Sequence, residues 1–142
     1  MIKKTGSAKW SGGLKDGKGS VSTQSGALKD QPYGFNTRFE DGAGTNPEEL
    51  IGAAHAGCFS MALSNMLGDK DLVADDISTT ATVMMDKQDG GFAITKIHLE
   101  LTAKIPGATD EVFQEVAKAA KENCPVSKVL AGAEITLTAT LA

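Results

Sequence analysis

Residues 45–61 of this 142-residue chain read Thr45-Asn-Pro-Glu-Glu-Leu-Ile-Gly-Ala-Ala-His-Ala-Gly-Cys-Phe-Ser-Met61, and this stretch decides the fold. It begins with an N-cap candidate, a proline at the first helical position and two glutamates in the first turn, all typical of a helix start. Residues 51–67 contain no charged side chain, and Gly68 is a suitable helix end. Because the apolar positions cover almost the whole circumference, we expect a central helix that is buried on all sides.

This helix is close to the shortest length that spans a bilayer, about 17 residues. Its central glycines and serines, together with His55 and Asn65, favour the core helix of a globular protein instead. We therefore expect no membrane contact.

A strand hairpin follows the helix. Residues 77–85 are rich in threonine and β-branched side chains, residues 93–105 alternate between apolar and polar, and Asp89-Gly-Gly91 predicts the turn between them. The alternation places one set of apolar side chains on the inward face of the second strand. These are Ile97, Leu99, Leu101, Ala103 and Ile105.

The glycine-rich region before the helix predicts strands at 3–10 and 18–22, and a short extended piece at 35–39. Hairpins therefore recur on both sides of the central helix.

The C-terminal part combines helices with one strand. Residues 110–122 have the pattern of an amphipathic helix, a short helix begins at Pro125 and ends near Gly132, and residues 135–141 alternate as a strand. Since strand runs and helical runs are segregated, the fold class is α+β with largely antiparallel pairing. The length predicts a single domain, residues 1–142.

Composition narrows the function classes. The net charge is −4 and no basic cluster occurs, which argues against nucleic-acid binding. His55 and Cys58 can share a helix face, but two ligands do not make a tetrahedral site, so neither a metal nor another cofactor is predicted. The N-terminal residues are polar and lack a signal-peptide pattern, which predicts a cytoplasmic location.

The two cysteines, Cys58 in the apolar helix and Cys124 directly before Pro125, leave two interpretations open. A free cysteine is often a small buried hydrophobe without chemistry. In a reducing compartment, however, a thiol pair suits redox chemistry, in which one thiol is oxidised and the second traps the oxidised form. Since an apolar environment alone keeps a thiol protonated and inert, the redox interpretation requires a nearby cation.

Arg38, the only arginine of the chain, is the candidate cation, although an ordinary surface arginine fits the sequence as well. Glu48 is either a favourable charge in the first turn of the helix or a partner that fixes the Arg38 guanidinium by a two-point contact. Glu48 lies about 15 Å from Cys58 along the helix axis, so the two do not touch within one helix. Either Arg38 links them, or Glu48 of the partner subunit approaches Cys58 in a dimer.

The chain contains three linked motifs: Gln31-Pro-Tyr-Gly-Phe-Asn-Thr-Arg-Phe-Glu40, the segment from Gly44 to Met61, and Asn123-Cys-Pro-Val-Ser127. Together they closely resemble the osmotically inducible protein C (OsmC) family, and the similarity runs nearly end to end. The position of the arginine after the Tyr-Gly-Phe turn favours the OsmC branch over the related organic hydroperoxide resistance (Ohr) branch. Gly57 stands where we expect an alanine.

The resemblance implies an OsmC-like fold, in which antiparallel sheets wrap around the central helices of an intertwined homodimer. It implies a thiol-dependent peroxidase that reduces organic hydroperoxides, and hydrogen peroxide more weakly, through a sulfenic acid and an intramolecular disulfide. By position in the motifs, the reactive cysteine is Cys58, the resolving cysteine Cys124, the arginine Arg38 and the glutamate Glu48. A dithiol reductant, of the lipoyl type by analogy with the Ohr branch, reopens the disulfide.

Two alternatives remain. A redox-responsive binding or sensor protein would use the same Cys58–Cys124 disulfide to change a partner surface, without multiple turnovers. A purely structural stress protein would keep both thiols buried and slow to react.

Overall fold

The computed structural model describes all residues, 1–142, and the chain forms two compact units, Met1–Leu50 and Ile51–Ala142. Six strands and four helices follow one another along the chain. They are β1 (Gly6–Ser11), β2 (Lys18–Thr23), β3 (Gln31–Tyr33), α1 (Phe35–Phe39), α2 (Pro47–Gly68), β4 (Asp76–Gln88), β5 (Gly91–Lys104), α3 (Asp110–Asn123), α4 (Pro125–Val129) and β6 (Glu134–Leu141).

The Met1–Leu50 unit is built on an antiparallel sheet in the order β1-β2-β3. Trp10 of β1 is the register partner of Gly19 on β2, and its ring lies 5.5 Å from the ring of Tyr33 on β3. A Cβ atom at position 19 would lie 2.5 Å from both rings. Gly19 therefore allows the two aromatic rings to meet across the middle strand.

Residues 35–39 form the short helix α1, so the expectation of an extended piece there is wrong. Thr37 closes the turn, because its Oγ1 accepts a hydrogen bond from the Gly34 N–H at 2.8 Å and donates one to the Gly34 carbonyl at 3.0 Å. Phe35 and Phe39 are four residues apart and share one helix face, with ring centroids 5.0 Å apart. These local contacts outweigh the strand preference of the two aromatic residues.

The Ile51–Ala142 unit contains the second sheet, in the order β4-β5-β6. The predicted hairpin is confirmed, since β4 and β5 pair antiparallel, with one register shift between Met84 and Met85. β6 instead pairs parallel to β5. A parallel return requires a crossover connection, which α3 and α4 provide.

The core of this unit lies between the sheet and its helices, and the inward-facing set predicted for β5 is buried. Its main members are Phe59, Leu63 and Leu67 of α2, Leu99, Leu101 and Ala103 of β5, and Phe113, Val116, Ala117 and Ala120 of α3.

α2 begins as the sequence predicts, because Asn46 Oδ1 accepts a hydrogen bond from the Glu49 N–H at 2.8 Å. Its buried residues form one stripe, which comprises Gly52, His55, Phe59, Leu63 and Leu67. On the other side of the helix, Met61 is 77% exposed. The expectation of burial on all sides is therefore wrong for the single chain, since the Ile51–Ala142 unit covers one face only.

With 22 residues and a mean hydropathy of 1.3, α2 also has the length and composition of a membrane-spanning helix. The core helices of soluble proteins meet the same criteria, so these two properties do not distinguish between the two settings.

Candidate active site

Cys58 and Cys124 are 66 residues apart in the sequence and meet within the Ile51–Ala142 unit, where their Sγ atoms are 2.8 Å apart. Cys58 is half-buried in the middle of α2, whereas Cys124 is fully buried at the junction of α3 and α4. Both are free thiols, and the Cys124 S–H donates a hydrogen bond to the Cys58 sulfur. The fold thus brings together the two cysteines that the sequence singles out.

The Cys-Pro dipeptide sets the position of the second thiol. The Cys124 N–H still donates to the Ala120 carbonyl at 3.0 Å, as in the last turn of a helix. A residue before proline is disfavoured in the helical conformation, and Cys124 accordingly has φ −56° and ψ 127°. The chain turns there and continues as α4, whose Lys128 N–H donates to the Cys124 carbonyl at 3.1 Å.

Burial raises the pKa of the Cys58 thiol above its ordinary value. The neighbouring Cys124 thiol also raises the pKa of Cys58, because two adjoining thiols that share a proton do not both ionise readily. The backbone N–H of Val126, in the first turn of α4, bonds to the Cys58 sulfur and lowers the pKa in part. Within this unit the protonated thiol is therefore favoured, and thiolate chemistry needs a further positive group.

His55 and Ser127 form a second side-chain contact between α2 and α4. His55 Nε2 lies 2.7 Å from Ser127 Oγ, and both side chains are buried. Burial lowers the pKa of His55, so its ring is neutral near pH 7, and its Nδ1 is buried without a hydrogen-bond partner.

From the sequence, His55 was expected only as a polar residue of the core helix or as one ligand of an incomplete metal site, and its contact with Ser127 was not predicted. A usable signal was present in the spacing: His55 lies three residues before Cys58, and Ser127 lies three residues after Cys124. Two residues that are each three positions from one cysteine of a contacting pair are candidates for a second contact next to the thiols.

Arg38 and Glu48 form an ion pair in the Met1–Leu50 unit. Arg38 Nε lies 2.7 Å from Glu48 Oε1, and the guanidinium lies 5.5 Å from the ring centroid of Phe39. Glu48 Oε2 is buried without a hydrogen-bond partner. The pair is present and is joined by one hydrogen bond, whereas the two-point contact was one of the two interpretations of Glu48 left open by the sequence. The contact through Nε leaves the two terminal nitrogens of Arg38 for other acceptors.

An apolar cavity of about 180 Å³ lies beside Arg38 in the same unit. Its walls are formed by Trp10, Leu14, Tyr33, Gly34, Phe35, Arg38 and Phe39. One charged group in an otherwise apolar and largely aromatic wall is typical of a site for a small ligand with a single polar end.

An α+β fold that holds two free thiols 2.8 Å apart defines a dithiol redox protein. Across residues 1–142, no three or more His, Cys, Asp and Glu side chains come together as metal ligands would.

Comparison with known proteins narrows this class. The family model for OsmC-like protein matches residues 40–140. Peroxiredoxin OsmC of Escherichia coli (strain K12) is 60% identical over 136 residues, which cover 96% of this chain and 94% of the relative. Organic hydroperoxide resistance protein OhrB of Bacillus subtilis (strain 168) is 34% identical over 115 residues, covering 80% and 82%. The crystal structure of an organic hydroperoxide resistance protein from Elizabethkingia anophelis superposes over 99% of both chains with a TM-score of 0.73, at 28% identity.

The chain belongs to the OsmC-like protein family. The resemblance to the OsmC branch is confirmed, since identity to the OsmC relative far exceeds identity to OhrB. The likeness to the solved structure likewise confirms the OsmC-like α+β fold class.

Proposed function

We propose that this chain is a thiol-dependent peroxidase for organic hydroperoxides, in which Cys58 is the reactive cysteine and Cys124 the resolving cysteine. The observation that carries the proposal is the 2.8 Å approach of two free thiols. The names of two relatives, a peroxiredoxin and an organic hydroperoxide resistance protein, support it. The half-burial of Cys58 and the full burial of Cys124 support the division of roles, because the hydroperoxide reaches the more exposed sulfur first.

In the first step the Cys58 thiolate attacks the terminal oxygen of the hydroperoxide. The O–O bond breaks, a sulfur–oxygen bond forms, and the alkoxide that leaves takes up a proton to become the alcohol. The sulfur is oxidised to a sulfenic acid, and the peroxide is reduced by two electrons.

In the second step the sulfur of Cys124 attacks the sulfenic sulfur of Cys58. A disulfide forms, the S–OH bond breaks, and the hydroxyl leaves as water together with the Cys124 proton. The close approach of the two sulfurs supports a fast second step, which protects Cys58 from a second oxidation.

Arg38 supplies the positive group that the Cys58 thiolate requires, from the same chain or from the other subunit of a homodimer. A guanidinium near a thiol lowers the pKa of that thiol and stabilises negative charge on the oxygen that leaves. The hydrogen bond between Glu48 and Arg38 Nε supports a role for Glu48 in orienting the guanidinium.

The cavity beside Arg38 supports the proposed substrate class. Its aromatic wall supports an alkyl or aryl hydroperoxide over hydrogen peroxide, because burial of an apolar group adds binding energy that hydrogen peroxide lacks. The one charged group in the wall suits the polar peroxide end.

The working assembly is an intertwined homodimer in which residues 1–142 form one domain of each subunit. The exposed apolar side of α2, with Met61 77% exposed, supports this assembly. A second copy of α2 on that side would give the helix the all-round burial that its sequence predicts.

The disulfide is reopened by a dithiol reductant, through a mixed disulfide that the second thiol of the reductant then resolves. We propose a lipoyl-type dithiol for this role. We propose that the protein is soluble and lies in the cytoplasm, where glutathione and thioredoxin keep thiols reduced.

A steady-state assay with dihydrolipoamide as the electron donor tests the proposal. We expect many turnovers and a higher kcat/KM for tert-butyl hydroperoxide than for hydrogen peroxide. Oxidation of Cys58 in a single event, with no further peroxide consumption when dithiol is supplied, would instead identify a redox sensor.

A further inference from the structure

Three contacts join the first turn of α4 to α2. The Cys58 and Cys124 sulfurs are 2.8 Å apart, the Val126 N–H bonds to the Cys58 sulfur, and His55 bonds to Ser127 at 2.7 Å. His55 precedes Cys58 by three residues, whereas its partner Ser127 follows Cys124 by three residues. The first turn of α4 therefore runs antiparallel to α2. The proposed chemistry uses the first contact, the second lowers the pKa of Cys58, and the third has no role in either.

The third contact anchors α4. This helix has five residues, too few to be stable on its own, so its position depends on tertiary contacts. Ser127 is its only buried residue, whereas Val129 is 78% exposed. The hydroxyl of Ser127 therefore makes the one side-chain hydrogen bond by which α4 itself is held in the core.

His55 has no hydrogen-bond partner other than Ser127. His55 is fully buried, its Nδ1 is already without a hydrogen bond, and Ser127 is the partner of its Nε2. Withdrawal of α4 would leave both ring nitrogens buried and unpaired, which is costly for a polar group in the core.

Oxidation of Cys58 increases the importance of this anchor. A sulfenic acid carries an added hydroxyl, so the original contacts of the sulfur with Cys124 and with the Val126 N–H are altered at the moment when Cys124 must attack. The contact between His55 and Ser127 lies one helical turn away and does not involve the reacting atoms.

We propose that the His55–Ser127 hydrogen bond is a clamp that holds α4 on α2 after Cys58 is oxidised, and so sets how fast Cys124 resolves the sulfenic acid. Both are positioning residues, and the inference rests on the proposed function. Two reactions compete for the sulfenic acid. Attack by Cys124 gives a disulfide and water, whereas a second hydroperoxide gives a sulfinic acid and an alcohol.

The test measures this competition. Reduced protein is treated with increasing tert-butyl hydroperoxide, and mass spectrometry gives the ratio of Cys58 sulfinic acid to Cys58–Cys124 disulfide. Ser127→Ala and His55→Leu remove the clamp from either side, Ser127→Thr keeps the hydroxyl, and Ile97→Val in β5 is a matched control that removes one buried methyl group elsewhere in the same unit.

We expect Ser127→Ala and His55→Leu each to raise the sulfinic-to-disulfide ratio by about fivefold, the shift given by one hydrogen bond of ordinary net strength. The double variant rises no further, because either change alone removes the contact. Ser127→Thr and Ile97→Val keep the wild-type ratio.

Wild-type ratios in both Ser127→Ala and His55→Leu would overturn the clamp while leaving the peroxidase proposal intact. An equal rise in Ile97→Val would also overturn it, because the effect would then reflect general loosening of the fold. Wild-type protein that forms neither sulfinic acid nor disulfide would refute the peroxidase proposal and the clamp together.

Discussion

The sulfur of Cys124 donates its hydrogen bond to the sulfur of Cys58 across 2.8 Å, from the junction of two helices to the middle of a third. Two properties of this arrangement oppose each other. Proximity favours a disulfide once Cys58 is oxidised, but it also raises the pKa of Cys58 and so disfavours the thiolate needed for the first step. The proposed role of Arg38 is to resolve this conflict.

Substitution of each cysteine separates the two steps. Cys58→Ser should abolish peroxide consumption, because serine has no redox-active sulfur. Cys124→Ser should reduce about one equivalent of hydroperoxide per chain and then accumulate sulfinic acid at Cys58. Rapid mixing with mass detection measures both outcomes. Retained multiple turnover in Cys58→Ser would remove the enzyme function from this site.

The dependence of the first step on pH reports the proposed action of Arg38. The thiolate is the nucleophile, so the rate rises with pH through the pKa of Cys58. In Arg38→Ala combined with Cys124→Ser, burial raises the pKa of the Cys58 thiol and is the larger influence, while Val126 lowers it in part, so the midpoint should lie above the ordinary thiol value. The wild-type midpoint should lie lower. We would measure single-turnover oxidation in a Cys124→Ser background, in which identical midpoints with and without Arg38 would contradict its role.

The link between Glu48 and Arg38 predicts graded losses of activity. Glu48→Gln keeps the shape of the side chain but removes its charge. Because the charge-assisted hydrogen bond that orients Arg38 is then weakened, we expect kcat/KM to fall by roughly tenfold. Arg38→Lys should be at least as damaging, because an ammonium has neither the Nε that Glu48 binds nor a planar fork. Glu49→Gln, in the same helical turn, is the matched control and should retain activity. Activity of Glu48→Gln equal to that control would show that Arg38 needs no support.

Buried His55 should make the stability of the protein sensitive to mild acid. Its pKa in the folded protein lies below the ordinary value of 6.5, so below that pH the unfolded chain binds a proton that the folded protein does not. This source of stability is therefore complete above about pH 6.5 and declines as the pH falls, by up to about 1.4 kcal/mol per unit.

Urea unfolding at pH 7.5 and 5.5 measures this effect. His55→Leu should lose less free energy of unfolding than the wild type between these values, whereas Ile97→Val, which removes no titratable group, should show the wild-type difference. An unchanged difference between the two pH values in His55→Leu would contradict the prediction.

The parts of the fold that could be predicted from the sequence are those that residues close together in the chain determine. The alternation in β5, the Gly-Gly turn before it and the helix start at Pro47 each depend on neighbouring residues, and each is found as predicted. α1 was mispredicted because a single side chain, Thr37, closes the turn by hydrogen bonds to Gly34. The parallel pairing of β6 depends on the path of the chain through α3 and α4, which no local pattern encodes.

The candidate site was likewise predicted from the sequence only in part. The motifs predicted Cys58, Cys124, Arg38 and Glu48 as site residues, and the fold brings the two cysteines together in one unit and the ion pair together in the other. The contact of His55 with Ser127 was missed, since the two residues are 72 positions apart and serine is common in solvent-exposed turns.

The exposed side of α2 predicts the assembly state. Met61 is 77% exposed on a helix whose sequence is apolar on nearly all sides, so a charge placed there opposes any partner that buries it. Met61→Glu should shift the protein from dimer to monomer in sedimentation velocity, whereas Met84→Glu, at an exposed methionine of β4, should not. If Arg38 acts across the subunit interface, Met61→Glu should also lose activity in proportion to the monomer formed. A wild-type protein that sediments as a monomer at micromolar concentration would refute the homodimer, and Arg38 would then have to act on Cys58 within one chain.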